Sequence, residues 1–137
     1  MSRQDFCHNQ VIRALQKDGW VVDDRQFRLR LPSRLIFIDI HATKNSNGHR
    51  ENVLLAEVKC FPESQADTTD LYQALGQYIL YRSVLAESEI SIPLYLAIPD
   101  TIYQTVFDSS ARRAVQENRI KLLIVNLETE RISQWIN

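Results

Sequence analysis

Two long strand-forming segments around a short turn constrain the fold of this 137-residue chain more than any other feature. Residues 34–44 (RLIFIDIHATK) and 52–61 (NVLLAEVKCF) are rich in β-branched and aromatic side chains. Between them, Asn47-Gly48 is a strong short-range hairpin signal. The pattern predicts two adjacent antiparallel strands. Because both faces of each strand are largely apolar, other elements should cover the sheet on both sides.

The rest of the chain alternates helical and strand patterns. Helices are predicted at residues 4–17, 69–86 and 103–118, and further strands at 20–22, 27–31, 93–99, 121–127 and 131–136. This order predicts an α/β sandwich in which helices flank a mixed central sheet. The length fits one domain, residues 1–137.

Charge and hydropathy limit the classes of function. The net charge of −1 provides no global basic field, so any nucleic-acid surface must be local. The polar start predicts no signal peptide, and no apolar run approaches the ~20 residues of a membrane span. Cys7 and Cys60 are predicted to be reduced thiols of a cytoplasmic protein.

Three charged residues interrupt the apolar hairpin strands: Asp39 in the first, and Glu57 and Lys59 in the second. Strand alternation predicts that Glu57 and Lys59 share one face. It also predicts that Asp39 lies on the face opposite to the side chains of Ile36, Ile38 and Ile40, which should share a face with one another.

The register of the hairpin decides whether the two acidic residues meet. A three-residue loop pairs Ser46 with Arg50 and Asp39 with Glu57, which places their Cβ atoms about 5 Å apart. A two-residue turn would instead pair Asp39 with Ala56, and a bulge could restore the first pairing.

Two neighbouring carboxylates repel each other unless a cation lies between them. Oxygen ligands favour Mg²⁺, with Mn²⁺ as the second candidate. Lys59 could stabilise a phosphate or orient a water, which is the chemistry of metal-assisted phosphodiester hydrolysis. Taken alone, Glu57-x-Lys59 is more typical of a solvated strand edge with one weak ion pair.

The arrangement Asp39…Glu57-Val58-Lys59 on adjacent strands resembles the PD-(D/E)XK nuclease superfamily, with Ile38 at the position of the proline. The resemblance implies a restriction-endonuclease-like fold. It also implies that Asp39, Glu57 and the Val58 carbonyl bind Mg²⁺ while Lys59 assists catalysis.

A second pattern, Gln77-x-x-x-Tyr81 in the following helix, resembles a motif of the RecB-like branch of that superfamily. Residues four apart share a helical face, and Gln73 lies one turn earlier on it. The resemblance implies that these side chains contact substrate. The alternative is a partly buried tyrosine beside two solvated glutamines.

Longer segments are similar to the XisH family of fdxN element excision controlling factors, found mainly in cyanobacteria. They include RQDFCHNQVIRALQKDGW, IDIHA, AEVKCF, DLYQALGQYILYRSVLAE, LYLAIPDTIY and ISQWI. This resemblance implies a role in excising a DNA element, beside a site-specific recombinase and an XisI-like companion protein.

Two further groups could contribute to the site. Asp5 and His8 match a D-x-x-H pattern of the family, and either could complete a metal site or simply solvate the helix start. Arg28 and Arg30 share one strand face and could contact phosphates, although a solvated edge explains them equally well.

Two hypotheses remain open. The first is a Mg²⁺-dependent DNA endonuclease. The second is a catalytically silent nuclease fold that binds DNA or recombination partners, acting as a homodimer or with the companion protein. A small-molecule module is disfavoured because the sequence has no glycine-rich phosphate loop.

Overall fold

The structure is a computed structural model that describes the backbone of residues 3–46, 50–62 and 68–137, with side chains from Cys7 onward apart from 46–51 and 63–67. The helices are α1 (Arg3–Lys17), α2 (Thr68–Glu87), α3 (Asp100–Thr105) and α4 (Ser109–Glu117). The strands are β1 (Val21–Val22), β2 (Phe27–Arg30), β3 (Leu35–Ile38), β4 (Ile40–Ser46), β5 (Arg50–Val58), β6 (Leu94–Pro99), β7 (Lys121–Asn126) and β8 (Arg131–Ile136). No helix in these ranges is both long enough and apolar enough to traverse a bilayer.

The predicted mixed central sheet is confirmed. Six strands pair in the order β1-β4-β5-β6-β7-β8, while β2 and β3 form a separate two-stranded sheet. The pairs β5–β6 and β6–β7 are parallel, and the others are antiparallel. The three-residue register of the main hairpin is also confirmed, since Ser46 pairs with Arg50 and Ile40 with Ala56. The turn itself, residues 47–49, lies outside the described residues.

Two apolar cores cover the two faces of the central sheet. On one face α1 packs its stripe of Val11, Ala14 and Leu15 against alternate residues of β4 and β5. On the other face α2, α3 and α4 pack together with the inward side of the β2–β3 hairpin. This second face carries Leu55 and is the face on which Glu57 lies, because strand residues two apart point the same way.

The prediction of one continuous strand over residues 34–44 is wrong. The chain bends at Asp39, which separates β3 from β4. Ile36 and Ile38 therefore belong to the α2-side core, whereas Ile40 belongs to the α1-side core. The bend interrupts the strict alternation that the sequence pattern assumed, so these three isoleucines do not share a face.

The single helix predicted at residues 103–118 is also wrong. Two helices, α3 and α4, are separated by residues 106–108. The carboxylate of Asp108 accepts a hydrogen bond from the Ala111 N–H at 2.9 Å and so caps α4. Phe107 between the helices is almost fully buried, and anchoring this side chain in the core interrupts the helical path.

The expectation of two reduced thiols is not met. A disulfide joins Cys7 of α1 to Cys60, just beyond β5, with their Cα atoms 5.8 Å apart. The two cysteines are 53 residues apart in sequence. They meet because α1 crosses the face of the sheet on which Cys60 lies.

Candidate active site

The bend at Asp39 brings the two predicted acidic residues into contact. The Asp39 N–H donates to Glu57 Oε1 at 3.2 Å. In return, Oδ2 of Asp39 accepts a hydrogen bond from the Val58 N–H at 2.9 Å. These bonds replace the regular backbone hydrogen bonds between strands at the position just before β4. They hold both carboxyl groups at one place on the sheet.

Glu57 is the most perturbed group of the site. Its side chain is buried, with 7% exposure. Burial, and then the neighbouring charge of Asp39, raise the pKa of Glu57 to about 8. The Asp39 N–H and the Lys59 charge oppose this shift without cancelling it. In the absence of a further cation, Glu57 therefore holds a proton at neutral pH.

Val58 and Lys59 continue the same strand beside the acidic pair. An extended residue directs its N–H and its C=O toward the same edge of the strand, so the Val58 carbonyl faces the edge at which its N–H meets Asp39. The Lys59 N–H donates to the Ala97 carbonyl at 2.9 Å, which fixes the backbone of Lys59 against β6. The Lys59 ammonium forms no ion pair with the side chains that the structure describes.

Helix α2 supplies the polar groups that face the acidic pair. Gln77 Nε2 donates to the Tyr81 hydroxyl at 3.0 Å. Burial raises the pKa of Tyr81, the hydrogen bond from Gln77 lowers it, and the charges of Glu57 and Asp39 raise it further. Oε1 of Gln77 is buried and has no hydrogen-bond partner among the described residues. Gln77 and Tyr81 therefore share one helical face, and Tyr81 packs against the core on the side of the sheet that carries Glu57.

Gln73 lies one turn before Gln77 and is exposed. It lines a small pocket of about 110 Å³ together with Lys59 and Asp70. This pocket lies between α2 and the residues that follow β5, so Gln73 and Lys59 border one accessible space.

Two residues near the site were not assigned to it by any sequence motif. Gln26, just before β2, donates from Nε2 to Oδ1 of Asp39 at 3.4 Å. Arg34, just before β3, lies close enough to Tyr81 for its charge to act on the pKa of that hydroxyl. Neither residue belongs to a motif. Recognising the bend at Asp39, which folds the β2–β3 hairpin over the sheet, would have been the signal for both.

Other predicted residues are not brought into contact with the pair. Helix α1 covers the opposite face of the sheet. No hydrogen bond or ion pair joins His8 to Asp39 or Glu57 within the part of the chain that the structure describes, and the Asp5 side chain lies outside that part. Arg28 and Arg30 are exposed on the hairpin and directed away from its core face.

The donor set of the site fits a hard divalent cation. Among the described residues no group of three or more His, Cys, Asp and Glu side chains is placed to hold a metal ion. Mg²⁺, however, commonly binds through one or two carboxylates and retains several waters. Asp39, Glu57 and the Val58 carbonyl provide such oxygens, and a cation between the carboxylates would remove the repulsion that raises the pKa of Glu57.

Comparisons with known proteins identify the family to which the chain belongs. A crystal structure of a fdxN element excision controlling factor protein from Anabaena variabilis is 34% identical, with a TM-score of 0.84 over 97% of this chain and 99% of that chain. An XisH family protein from Nostoc punctiforme is also 34% identical, with a TM-score of 0.83 over 97% of this chain and 100% of that chain. No curated protein matches the sequence. The family model of the XisH protein matches residues 1–133, and the chain belongs to the XisH family.

Proposed function

We propose that this chain is an excision controlling factor that acts on DNA by metal-dependent phosphodiester hydrolysis at Asp39, Glu57 and Lys59. The observation that carries the proposal is that the backbone N–H groups of Asp39 and Val58 hold the carboxyl groups of Glu57 and Asp39 side by side at one position of the sheet. The name of the similar Anabaena variabilis structure supports a role in excising a DNA element. The resemblance to the PD-(D/E)XK superfamily supports hydrolysis as the chemistry.

The energetic cost of burying this pair supports a cation that binds between the two carboxyl groups. Burying an ionised carboxyl beside another one is unfavourable, which is why the pKa of Glu57 rises to about 8. Two apolar side chains at these positions would avoid that cost. A bound Mg²⁺ or Mn²⁺ would be coordinated by the two carboxyl groups and would compensate their charge. It would lower the pKa of Glu57 back toward its ordinary range.

Each residue has a defined role in this proposal. The metal would act as a Lewis acid on the phosphate and on the attacking water. Asp39, Glu57 and the Val58 carbonyl would hold it, and Gln26 orients Asp39 through its hydrogen bond. The Lys59 ammonium balances the negative charge that grows on the phosphate during attack.

The polar groups of α2 complete the substrate side of the site. The Tyr81 hydroxyl accepts a hydrogen bond from Gln77 and can donate its own O–H to a phosphate oxygen. Gln73 borders the pocket that also contains the Lys59 side chain. We assign these three residues to contacts with the DNA backbone near the cleaved bond.

A second candidate is a silent nuclease fold that binds DNA or recombination partners. Two features favour it: burial and the Asp39 charge raise the pKa of Glu57 to about 8, which favours its protonated form at pH 7, and the described residues provide no third acidic, histidine or cysteine ligand. In this case an XisI-like companion protein or a site-specific recombinase would be the main partner, and the chain could act as a homodimer. The acidic pair would then be dispensable for excision.

Calorimetric titration of Mn²⁺ and Mg²⁺ tests the proposal directly. The wild-type protein, Glu57→Gln and the exposed-site control Glu87→Gln should be titrated at pH 7 in two buffers with different ionisation enthalpies. Because the pKa of Glu57 is about 8, metal binding at pH 7 should release close to one proton. At pH 9 the release should nearly vanish, since Glu57 is already ionised there.

The same proteins should be incubated with labelled nicked, branched and single-stranded DNA. Hydrolysis is supported if the wild-type protein and Glu87→Gln bind metal and cleave, while Glu57→Gln does neither and remains folded. Failure of the wild-type protein to bind metal, even with DNA present, would overturn it. Metal binding without cleavage on any substrate would favour the silent accessory.

A further inference from the structure

The outer face of the β2–β3 hairpin combines exposed arginines with an exposed aromatic ring. The register pairs Arg28 with Phe37 and Arg30 with Leu35, and cross-strand partners share a face. The opposite face carries Phe27, Leu29, Ile36 and Ile38, which pack against the α2-side core. Core packing therefore explains one face of the hairpin and leaves the other, which we call the arginine face, without a structural role.

Phe37 is the unusual residue of the arginine face. Its side chain is 37% exposed, among few large apolar side chains at the surface of the described residues. The Arg28 guanidinium carbon lies 5.6 Å from the centre of the Phe37 ring. A cation over the ring stabilises an exposed pair by only about 0.5–1 kcal/mol, so this contact alone gives little reason to expose a phenylalanine.

The hairpin is strongly basic in an otherwise near-neutral chain. Residues 25–34 contain four arginines and no acidic residue, although the whole chain has a net charge of −1. None of the four forms an ion pair with another of the described side chains. Unpaired local charge of this kind is what a polyanion requires, and Arg28 and Arg30 lie about 7 Å apart along one strand.

The arginine face is also connected to the candidate active site. Asp39 follows β3 directly, and Gln26, which donates to Asp39, precedes β2 directly. Arg34 at the other end of the hairpin acts electrostatically on Tyr81 of α2. A nucleic-acid strand that lies along the arginine face would therefore lead to the acidic pair.

We propose that the arginine face binds single-stranded DNA, with Phe37 stacking on an unpaired base and with Arg28 and Arg30 contacting the adjacent phosphates. The inference rests on the proposed function and names its substrate as DNA with an unpaired segment. An aromatic ring can stack only on a base that is not enclosed in a duplex, and stacking beside basic side chains is the common mode of binding to single strands. The three arginines Arg28, Arg30 and Arg34 would neutralise too few phosphates to bind a duplex tightly by charge alone.

Fluorescence anisotropy with a labelled mixed-sequence oligonucleotide tests this binding separately from catalysis. Measurements should be made in EDTA with the wild-type protein, Phe37→Leu, Phe37→Trp and the double variant Arg28→Gln/Arg30→Gln. Two matched controls are Tyr72→Leu, at a ring that is 67% exposed on α2, and Arg131→Gln, at an exposed arginine of β8. A thermal melt of each variant confirms that it is folded.

Phe37→Leu should weaken single-strand binding about five- to hundredfold, the loss expected for one stacked base. Phe37→Trp should retain binding and its fluorescence should be quenched by DNA, while both controls bind as the wild-type protein does. The double arginine variant should weaken binding at low salt. A duplex of the same sequence should bind more weakly and be indifferent to Phe37→Leu.

Two results would overturn the inference. One is wild-type affinity in folded Phe37→Leu, and the other is a duplex preference that does not depend on Phe37. The proposed hydrolysis can fail independently, because Glu57→Gln should bind single strands in EDTA as tightly as the wild-type protein. Single-strand binding that depends on Phe37 without any cleavage would refute the nuclease and leave the arginine face established.

Discussion

At the scale of single residues, Glu57 shows a conflict between stability and function. The sheet holds its carboxyl group against Asp39 in an environment that favours the protonated form. Function as proposed needs the ionised form, and only a cation can supply the compensation. The folded protein is therefore less stable than it could be with a neutral group at this position, as is common at sites tuned for chemistry.

This conflict predicts a pH dependence of stability. The folded-state pKa of Glu57, about 8, lies above the ordinary value of 4.5. Between those two pH values the folded protein holds a proton that the unfolded chain has released. The stabilisation that this bound proton gives the folded state is complete below pH 4.5. It is lost as pH rises through 8, by up to ~1.4 kcal/mol per pH unit.

Glu57→Gln should remove that dependence, because its amide stays neutral. Urea unfolding in EDTA should be measured at pH 6, 7 and 8. The free energy of unfolding of the variant, relative to that of the wild-type protein, should increase by about 1 kcal/mol for each pH unit. Glu87→Gln, at an exposed carboxylate, should follow the wild-type curve. Parallel curves for Glu57→Gln and the wild-type protein would show that Glu57 is ionised throughout this range.

At the scale of secondary-structure elements, the interruption at Asp39 organises the site. Had β3 and β4 formed one strand, the hairpin of β2 and β3 could not turn away as a separate sheet. Helix α2 then covers the same face and directs Gln77 and Tyr81 toward the pair. The site is thus built from β5, the bend between β3 and β4, and α2.

Helix α2 also contains a position that is not optimised for stability. Gly76 is exposed in the middle of the helix, and a Cβ added there would meet nothing within 4 Å. Glycine costs about 0.5–1 kcal/mol relative to alanine in a helix interior. Gly76→Ala should therefore raise the free energy of unfolding by roughly that amount, as measured by urea titration.

Gly19→Ala provides the opposite case for comparison. Gly19 follows α1 with φ +95, and its added Cβ would lie 3.3 Å from Cε of Lys44. This left-handed conformation disfavours any side chain, so Gly19→Ala should destabilise the protein. If Gly76→Ala were also destabilising, the α2 surface at that position would have to approach another group closely in solution.

At the scale of the whole molecule, charge is distributed unevenly. A net charge of −1 means that long-range attraction to DNA is weak, so the proposed DNA binding would depend on the local arginine face. The match of two XisH crystal structures over nearly the full chain shows that this architecture is that of the family. Recognition of DNA should therefore be confined to one edge of the molecule rather than spread over it.

The salt dependence of DNA binding tests this distribution. Contacts from Arg28 and Arg30 to a single strand should give a slope of about −1.4 in a plot of log affinity against log salt concentration. Anisotropy titrations between 50 and about 200 mM salt measure this slope. A much steeper slope, unchanged in Arg28→Gln/Arg30→Gln, would mean that a different and larger basic surface carries the binding.

Much of the site could be predicted because its parts are local in sequence. The spacing of Gln77 and Tyr81 fits one helical turn, and the short turn after Ser46 sets the register that brings Asp39 to Glu57. The contact of Gln26 with Asp39 could not be predicted, because it depends on where the β2–β3 hairpin folds. The disulfide between Cys7 and Cys60 likewise depends on how α1 crosses the sheet, which no local pattern specifies.

The sequence by itself determined the alternation of elements, the mixed sheet and the family, because periodicity and turn residues act over a few neighbouring positions. Only the tertiary structure decided that the chain bends at Asp39 and that residues 103–118 form two helices. Both outcomes arise where a local preference competes with distant packing: Ile38 and Ile40 enter different cores, and Phe107 is buried between α3 and α4. Burial of such side chains is a property of the assembled fold, and it outweighs the preference of any short segment.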